Sequence, residues 1–467
     1  MSDARLNRRG LLRSLGLGAT WLAMPPALRA AQAADDGGPA TRKERAVLLT
    51  RTGSDRATGY LMSNKIVRGG DRLLCTWLAR SRQNHWALAD RKTGQTLRQG
   101  SVGAVLKDNH CGAAVAAEPD GTLHLVTGGH FSDFCHYTMA ARADADWQQA
   151  EVVHDAATYP SLACDRRGTL HLAYRCGPVP YKLKYRTRPK GGRWSQALAL
   201  VQASVREHTW LTNAIALGPE GHVHLVFSNT RALPDLSYCY GASHICSTDS
   251  GATWRQLGAD TPLSLPAEAA RLALIDQDAL RPDRTHSRDE RAKWLKPGPL
   301  NYYYNEILLS NPVTDDAGRP SAVVHDNLRG EAALFRARDG SWTAMPLHEE
   351  ARRILPGFLV QGPSSLSRHA DGTLEVLLTL RPASARGWGA PGTALVRVLV
   401  GPGEGAKQAR LVREPEPGLA HWLPSLEHWS WNAPSPRPAL VYTRGINAGG
   451  YANNVNPIET EVWLEMP

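Results

Sequence analysis

Residues 247–254 read Ser247-Thr248-Asp249-Ser250-Gly251-Ala252-Thr253-Trp254, and this stretch is the most informative one for the fold. The side chains of Ser247 and Asp249 can hydrogen-bond the backbone amides of their own turn. Gly251 can adopt the positive φ of a tight turn, and Trp254 offers a large ring that can seal the gap between two sheets. The stretch therefore predicts a rigid turn at the end of a β-hairpin, with a structural rather than a catalytic role.

A glycine-centred turn followed by an alternating strand recurs along the whole chain. Its copies are centred on Gly70, Gly121, Gly168, Gly221, Gly318 and Gly372, and a seventh repeat is visible at residues 437–442. Most intervals are roughly 50 residues, the length of a four-stranded repeat. The interval between Gly221 and Gly318 is about twice as long, which predicts an insert at about 265–300, where the spacing of Ala and Leu is helix-like.

The repeats predict an all-β fold. With 14 Trp against 5 Phe, and with 42 Gly, the composition favours the same class. Seven repeats fill residues 40–467, so we expect a single domain, a seven-bladed β-propeller with four-stranded antiparallel blades. Residues 46–50 should pair with the last blade and close the ring, which removes exposed sheet edges.

Residues 1–33 have the pattern of a twin-arginine signal peptide. Arg8 and Arg9 precede an apolar stretch at residues 15–24, and small residues follow at two sites that suit a signal peptidase. The apolar stretch is too short to span a bilayer. We therefore expect export, a periplasmic or secreted location and no membrane span.

The formal net charge of +10 favours a polyanionic partner. Export and the lack of a long Lys/Arg block argue against nucleic acid. An acidic polysaccharide or oligosaccharide fits the charge, as does a membrane surface, and solubility alone would also explain it. We expect a monomer.

Seven cysteines lie beyond the signal peptide, so at least one has no disulfide partner, and the pairing cannot be deduced. Cys239, His244 and Cys246 place several nitrogen and sulfur donors on one hairpin. They could hold a structural metal ion, zinc or calcium, or they could be buried or disulfide-bonded core residues. No cofactor is expected for catalysis.

Polar residues beside the innermost strands of a propeller are candidates for ligand binding. Asp108-Asn109-His110-Cys111-Gly112 comes just before the first strand of the second repeat, and Gly128-Gly129-His130 comes just after its second strand. In the next repeat Tyr159 and Arg175 occupy equivalent places. The two glycines should allow a close approach of the backbone.

These motifs resemble two families. Residues 247–254 carry the S-x-D-x-G-x-T-W pattern and resemble the Asp-box of BNR-repeat, sialidase-like propellers. Residues 108–175 resemble the propeller-fold polysaccharide lyases that act on ulvan and on rhamnose-capped glucuronate chains. The resemblance lies in the motifs D-N-H, D-G-T-L-H-L and G-G-H, followed by Y-P and G-T-L-H-L-A-Y-R. That resemblance implies β-elimination at a uronic acid, with a His or Tyr base, a Tyr or His acid, and an Arg that faces the carboxylate.

The residue types agree with that chemistry. An Arg175 guanidinium can bind a carboxylate with two hydrogen bonds and stays charged, which offsets the carbanion that develops at C5. His110 or His130 has an ordinary pKa that suits a base, whereas Tyr159 would need nearby cations. Further residues are predicted to bind sugar: Asn109, Arg206, His208, Trp210, Asn213 and Tyr303. His124, His171 and His224 sit at equivalent repeat positions and are interpreted as strand residues.

Two other functions fit the sequence. A glycoside hydrolase could use the same scaffold, as a rhamnosyl-glucuronate hydrolase or a sialidase, although one complete Asp-box and no F/Y-R-I-P motif argue against a sialidase. A non-catalytic carbohydrate-binding propeller would need only the fold and the basic charge.

Overall fold

The recurring glycine turns and the alternating segments after them form antiparallel β-hairpins in this computed structural model. The six central glycines all have a positive φ, between 60° and 86°. The structure describes residues 45–60, 62–140, 142, 144–177, 180–203, 213–233, 236–275, 307–327, 329–385, 389–403, 407–447 and 454–467. They lie in one compact unit that begins at residue 44. In this described part, no helix is both long and apolar enough to cross a membrane. The predicted signal peptide lies outside it.

The first repeat forms a four-stranded antiparallel sheet. It follows strand β1 (Arg45–Gly53) and consists of β2 (Ile66–Gly69), β3 (Arg72–Leu78), β4 (Asn84–Asp90) and β5 (Thr96–Val102). Its strands pair in chain order, which is the arrangement expected of a propeller blade.

The second and third repeats share one long strand. The second comprises β6 (Ala114–Ala117), β7 (Leu123–Val126), β8 (His130–Met139) and the first part of β9 (Gln148–Cys164). The remainder of β9 pairs with β10 (Leu170–Cys176), which is followed by β11 (Lys182–Arg188) and β12 (Leu198–Gln202). One strand is therefore outermost in one repeat and innermost in the next.

The fourth and fifth repeats flank the predicted insert. The fourth contains β13 (Asn213–Leu217), β14 (Val223–Leu233) and β15 (Leu236–Ser247). The insert begins with β16 (Ala267–Glu268), which pairs in parallel with β12, and a single 3-10 turn at Ala269–Arg271. This described beginning is not α-helical, and residues 276–300 lie outside the described residues. The fifth repeat contains β17 (Ile307–Leu309), β18 (Val313–Thr314), β19 (Pro320–Asp326), β20 (Glu331–Arg338) and β21 (Ser341–Pro346).

The last two sheets close the ring. Helix α1 (His348–Ile354) leads into β22 (Phe358–Arg368), β23 (Leu374–Pro382), β24 (Ala394–Val400) and β25 (Lys407–Arg413). The final sheet has the order β1, β28 (Thr460–Met466), β27 (Leu440–Gly445), β26 (Ala420–Leu426). Val47 pairs with Leu464, so the predicted closure by residues 46–50 is confirmed. The all-β class and the four-stranded antiparallel sheets are confirmed, and the number of seven blades stays a prediction.

The turn at residues 247–254 has the predicted structural chemistry. The Ser247 hydroxyl accepts the amide of Gly251 at 2.8 Å, and Asp249 accepts both the amide and the hydroxyl of Thr253. Gly251 has a φ of +96°, and a Cβ there would lie 2.4 Å from the Tyr185 ring. Trp254 is fully buried and meets Tyr185 edge to face. The turn therefore locks the outer edge of one repeat onto its neighbour.

A cavity lies at one end of the innermost strands, and a tryptophan-rich segment, residues 428–431, enters it. The cavity is lined by residues of β2, β6, β9, β13 and β18 together with residues 428–431. Trp431 Nε1 donates to Leu217 O at 2.7 Å, and Asn432 Nδ2 reaches the carbonyls of Ala117, Cys164 and Asp165. The segment after β26 thus ties three separate repeats together at this end.

Candidate functional site

The four predicted catalytic residues lie close together. They lie near the ends of the innermost strands that are away from the tryptophan-lined cavity. His110 precedes β6, and His130 begins β8. Their loops touch, because a Cβ on Gly128 would lie 2.5 Å from the carbonyl carbon of Cys111 and from the oxygen of Gly112. Only glycine permits this approach. The prediction that the glycine pair serves a close backbone contact is confirmed.

One carboxylate holds both histidines. Asp108 Oδ2 accepts from Nδ1 of His130 at 2.6 Å, and its Oδ1 accepts from Nδ1 of His110 at 3.1 Å. The two imidazole rings lie 4.6 Å apart between centroids. Burial raises the pKa of Asp108, but the hydrogen bonds from both histidines outweigh it and leave that pKa well below its usual value. Asp108 is therefore an anion that orients two rings.

The two histidines differ in exposure. The His130 side chain is 19% exposed and that of His110 is 9% exposed. Burial lowers the pKa of His110 to about 3. The nearby Asp108 raises this pKa, and the positive charge of Arg56 lowers it. His110 is neutral at physiological pH, and His130 is the ring more open to a ligand.

Tyr159 has an unusual backbone. Its φ is +59°, and β9 has a bulge here, since Ser161 pairs with Ala173 but Thr158 pairs with Arg175. A positive φ in a bulky residue is strained, and such strain clusters at functional sites. The bulge aims the ring at Tyr60, whose centroid is 5.0 Å away, and at His110, 6.3 Å away. Burial raises the pKa of Tyr159, although Arg175 and Arg56 oppose it, so the phenol stays protonated.

Arg175 lies among aromatic rings. Its guanidinium carbon is 4.6 Å from the ring centre of Tyr159, 5.2 Å from that of Phe131 and 5.3 Å from that of Tyr181. The residue is 1% exposed. Cation–π contacts of this kind hold a guanidinium in place, so Arg175 supplies a fixed positive charge beneath Tyr159.

The structure adds residues that the sequence analysis missed. Arg56 and Tyr60 come from the segment between β1 and β2 and reach His110: Arg56 Nη1 donates to His110 Nε2 at 2.8 Å and to Tyr60 Oη at 2.5 Å. Phe131 and Tyr181 stack on each other beside Arg175. No local motif marks these four residues, because ring closure and the turns of neighbouring repeats bring them to the site.

The predicted sugar-binding residues have different outcomes. Asn109 is buried; its side chain donates to Asp55 and its amide to the carbonyl of Asn454, so it supports the loop that carries His110. Asn213 is buried at the start of β13. The other four, Arg206, His208, Trp210 and Tyr303, lie outside the described residues.

The predicted metal ligands need one correction. Donor atoms of His224, His244 and Cys246 lie within 4.8 Å of one another, and Cys239 is not among them. In an extended strand Cys239 lies five residues, about 16 Å, from His244, whereas His224 is directly opposite Cys246. All three clustered residues are buried. Burial lowers the pKa of His224 to about 4 and holds that of His244 well below its usual value. Neutral imidazoles beside a thiol are ligands that zinc accepts.

Hydrogen bonds occupy metal-donor atoms in this cluster and in others, since Nδ1 of His224 lies 3.1 Å from Nε2 of His244. Asp108, His110 and His130 also lie close together, but the carboxylate already accepts from both rings. His124 bonds Glu118 and His136, and His171 bonds Tyr185, so these two act as strand residues in their repeats. None of the seven cysteines, all of which lie in the described residues, forms a disulfide bond.

Comparisons with known proteins agree with this architecture. A family model described as a BNR repeat-containing family member matches residues 56–288. A comparison with curated proteins finds no match. A solved ulvan lyase of polysaccharide lyase family PL25 is similar, with a TM-score of 0.59 and 12% identity over 85% of this chain and 93% of that chain.

Two further solved structures match to a similar degree. The PL25 ulvan lyase bound to -[GlcA(1-4)Rha3S]- has a TM-score of 0.59 and 11% identity, over 85% of this chain and 93% of that one. Polysaccharide lyase Uly1 has a TM-score of 0.55 and 13% identity, over 90% of this chain and 98% of that one. At such identities the likeness is one of fold. Residues 56–288 thus match the BNR repeat-containing family, and 85–90% of the chain resembles these polysaccharide lyases in fold.

Proposed function

We propose that this protein is an exported polysaccharide lyase that cleaves a uronate-containing polysaccharide by β-elimination. The observation that carries the proposal is the Asp108 carboxylate, which orients His110 and His130 beside a protonated Tyr159 and two guanidinium groups. A base, an acid and a positive charge are the three elements that such an elimination requires.

The positive charge acts on the carboxylate of the sugar. Abstraction of the proton at C5 leaves negative charge that spreads into the adjacent carboxylate, and an ionised carboxylate opposes it. Arg175 and Arg56 flank Tyr159, and both lower its pKa through their charge. We assign the neutralisation of the carboxylate to this pair, since fixed cations in a buried site act more strongly than in water.

The proton transfers follow from exposure and protonation. The more open His130 takes the C5 proton, and Asp108 stabilises the imidazolium that forms. The C5–H electron pair becomes the C4=C5 double bond as the C4–O bond breaks. The Tyr159 phenol gives its proton to the leaving oxygen, which becomes a hydroxyl. The products are an unsaturated uronate end and a new hydroxyl end, so atoms and electrons balance.

The substrate class follows from charge and from the fold. The basic chain suits an acidic polymer, and a similarly folded ulvan lyase has been solved with a glucuronate–rhamnose oligosaccharide. We therefore propose a glucuronate- or iduronate-containing polysaccharide with rhamnose linkages. The twin-arginine pattern supports action in the periplasm or outside the cell, and we propose that the enzyme acts as a monomer and needs no catalytic cofactor.

Ultraviolet absorbance of the unsaturated uronate tests the reaction directly. Ulvan, gum arabic and bacterial acidic exopolysaccharides serve as substrates, with His130→Ala as the inactive variant. His154→Ala is the matched control, because His154 is exposed and pairs with Asp133, outside the proposed site. Unsaturated ends from the wild type and the control, but not from His130→Ala, would support the proposal.

Other outcomes separate the alternatives. Release of free rhamnose without an unsaturated product would replace the lyase with a rhamnosyl-glucuronate hydrolase. Binding of a polymer without any product would leave a carbohydrate-binding propeller.

We also propose a structural zinc ion between His224, His244 and Cys246. The nitrogen and sulfur donors favour zinc over calcium, which prefers oxygen ligands. Nδ1 of His224 and Nε2 of His244 lie 3.1 Å apart and share a hydrogen bond, and the other ring nitrogen of each, Nε2 of His224 and Nδ1 of His244, has no hydrogen-bond partner among the described residues.

A further inference from the structure

Arg56 joins the first segment of the ring to the histidine loop of the second repeat. Nη1 of Arg56 donates one hydrogen bond to His110 Nε2 and another to Tyr60 Oη, at 2.8 and 2.5 Å. A backbone turn holds the segment in place, since the Arg56 carbonyl accepts the amide of Gly59 and its own amide donates to Ser54 Oγ. The side chain is half-buried, so solvent reaches it.

This contact determines the proton positions on His110. A guanidinium only donates hydrogen bonds, so Nε2 must be the accepting nitrogen. Nδ1 therefore carries the proton that Asp108 accepts. His110 is a neutral ring whose one lone pair is already occupied, and in this arrangement it can neither take nor give a proton at Nε2.

Arg56 is also the more accessible of the two guanidinium groups. Arg175 is 1% exposed and lies within 5.3 Å of three aromatic ring centres, whereas Arg56 is only partly buried. A carboxylate that arrives from solvent meets Arg56 first. A charged carboxylate is a stronger acceptor for a guanidinium than a neutral imidazole is.

We propose that Arg56 exchanges partners when substrate binds: it leaves His110 Nε2, pairs with the uronate carboxylate, and thereby frees the Nε2 lone pair of His110 to accept a hydrogen bond from the bound sugar. The inference rests on the proposed function, because it assumes a uronate substrate. Arg56 is then a carboxylate-binding residue, and only an acidic sugar releases the hydrogen bond at Nε2 of His110. A neutral sugar in the same place would leave the Arg56–His110 bond intact.

Nitrogen NMR of the histidine rings tests the exchange. The probes are methyl β-D-glucuronide and methyl β-D-glucoside, which differ only in the carboxylate. The proteins are the wild type, Arg56→Gln, and Arg51→Gln as the control, since Arg51 is an exposed residue of β1 that pairs with Glu461. Asp108, His130, Tyr60 and Tyr159 also face His110, and none of them is altered.

In the wild type, saturating glucuronide should shift the Nε2 resonance of His110, and glucoside should leave it in place. Free Arg56→Gln should show the shifted position without any ligand. A glucuronide that leaves the wild-type resonance unchanged, or an Arg56→Gln resonance identical to that of the wild type, would overturn the inference.

Kinetics separate this inference from the proposed function. On a polymer that the wild type cleaves, Arg56→Gln should raise KM by on the order of 10- to 100-fold, the range for a lost hydrogen bond to a charged group, and Arg51→Gln should not. Cleavage with an unchanged KM in Arg56→Gln would refute the role of Arg56 and leave the lyase intact. If no uronate polymer is cleaved, the lyase fails, and the NMR comparison alone decides about Arg56.

Discussion

Asp108 Oδ2 lies 2.6 Å from Nδ1 of His130 while Oδ1 of the same carboxylate holds His110. An asparagine at this position could accept from one ring only and would turn an N–H toward the other. Asp108→Asn should therefore lower kcat by about 10²- to 10⁴-fold, the usual contribution of an oriented acid or base. Asp133→Asn is the control, because Asp133 pairs with the exposed His154. An Asp108→Asn enzyme with more than half of the wild-type kcat would contradict the assignment.

Tyr159→Phe should remove the proton donor and keep the ring. The phenyl group would still pack against Arg175 and Tyr60, so KM should change little while kcat falls by about 10²-fold or more. Tyr137→Phe, which removes a phenol on β8 near Gln149, should behave as the wild type. An equal fall in kcat in both variants, or a rise in KM with an unchanged kcat in Tyr159→Phe, would argue against a proton donor at Tyr159.

The local patterns predicted much of this molecule. The turn at residues 247–254 is held by hydrogen bonds within itself, and glycine is the residue type that permits the close backbone contact at residue 128, so these residue types revealed their roles. Arg56 and Tyr60 could not be predicted in this way, because they contact His110 from 54 and 50 residues away in the sequence, through the packing of separate repeats. The error over Cys239 has another origin: short spacing suggests a shared ion, but an extended strand carries residues apart by about 3.3 Å each.

Asp249→Ala should destabilise the fold without changing the chemistry. The substitution removes the acceptor for the amide and hydroxyl of Thr253, which should cost about 1–3 kcal/mol of unfolding free energy. Urea unfolding measures the loss. Asp371→Ala is the comparison, because Asp371 accepts the amide of Thr373 in an exposed turn, and its loss should be smaller. A larger loss at Asp371, or a lower kcat for folded Asp249→Ala, would disprove the structural role.

Stability should fall as the pH is lowered from about 6.5 toward 3. Burial lowers the pKa of His325 to about 3, whereas the unfolded chain takes up this proton near pH 6.5. Between these values the unfolded state binds more protons, so acidification favours it. In urea unfolding between pH 7.5 and 4.5, His325→Gln should lose part of this dependence, and the exposed His154→Gln should retain it. Equal pH dependence in all three proteins would contradict the prediction.

The zinc proposal predicts a difference between two cysteines. Protein loaded with zinc and then desalted should retain about one ion per chain by elemental analysis. Cys246→Ser should lose the ion, and Cys239→Ser, which alters an equally buried thiol outside the cluster, should retain it. Chelation should lower the unfolding temperature of the wild type but not that of Cys246→Ser. Retention of zinc by Cys246→Ser would exclude this site.

The pairing of β1 with β28 has a consequence for how the site comes into being. Asp55, just after β1, holds the side chain of Asn109, and the carbonyl of Asn454, just before β28, holds its amide. The loop that carries His110 is thus fastened to both extremities of the ring. We expect that a chain without β28 would contain every proposed catalytic residue but would not hold this loop in place, because β28 positions the segment that contains Asn454. Activity should therefore depend on the pairing of β1 with β28.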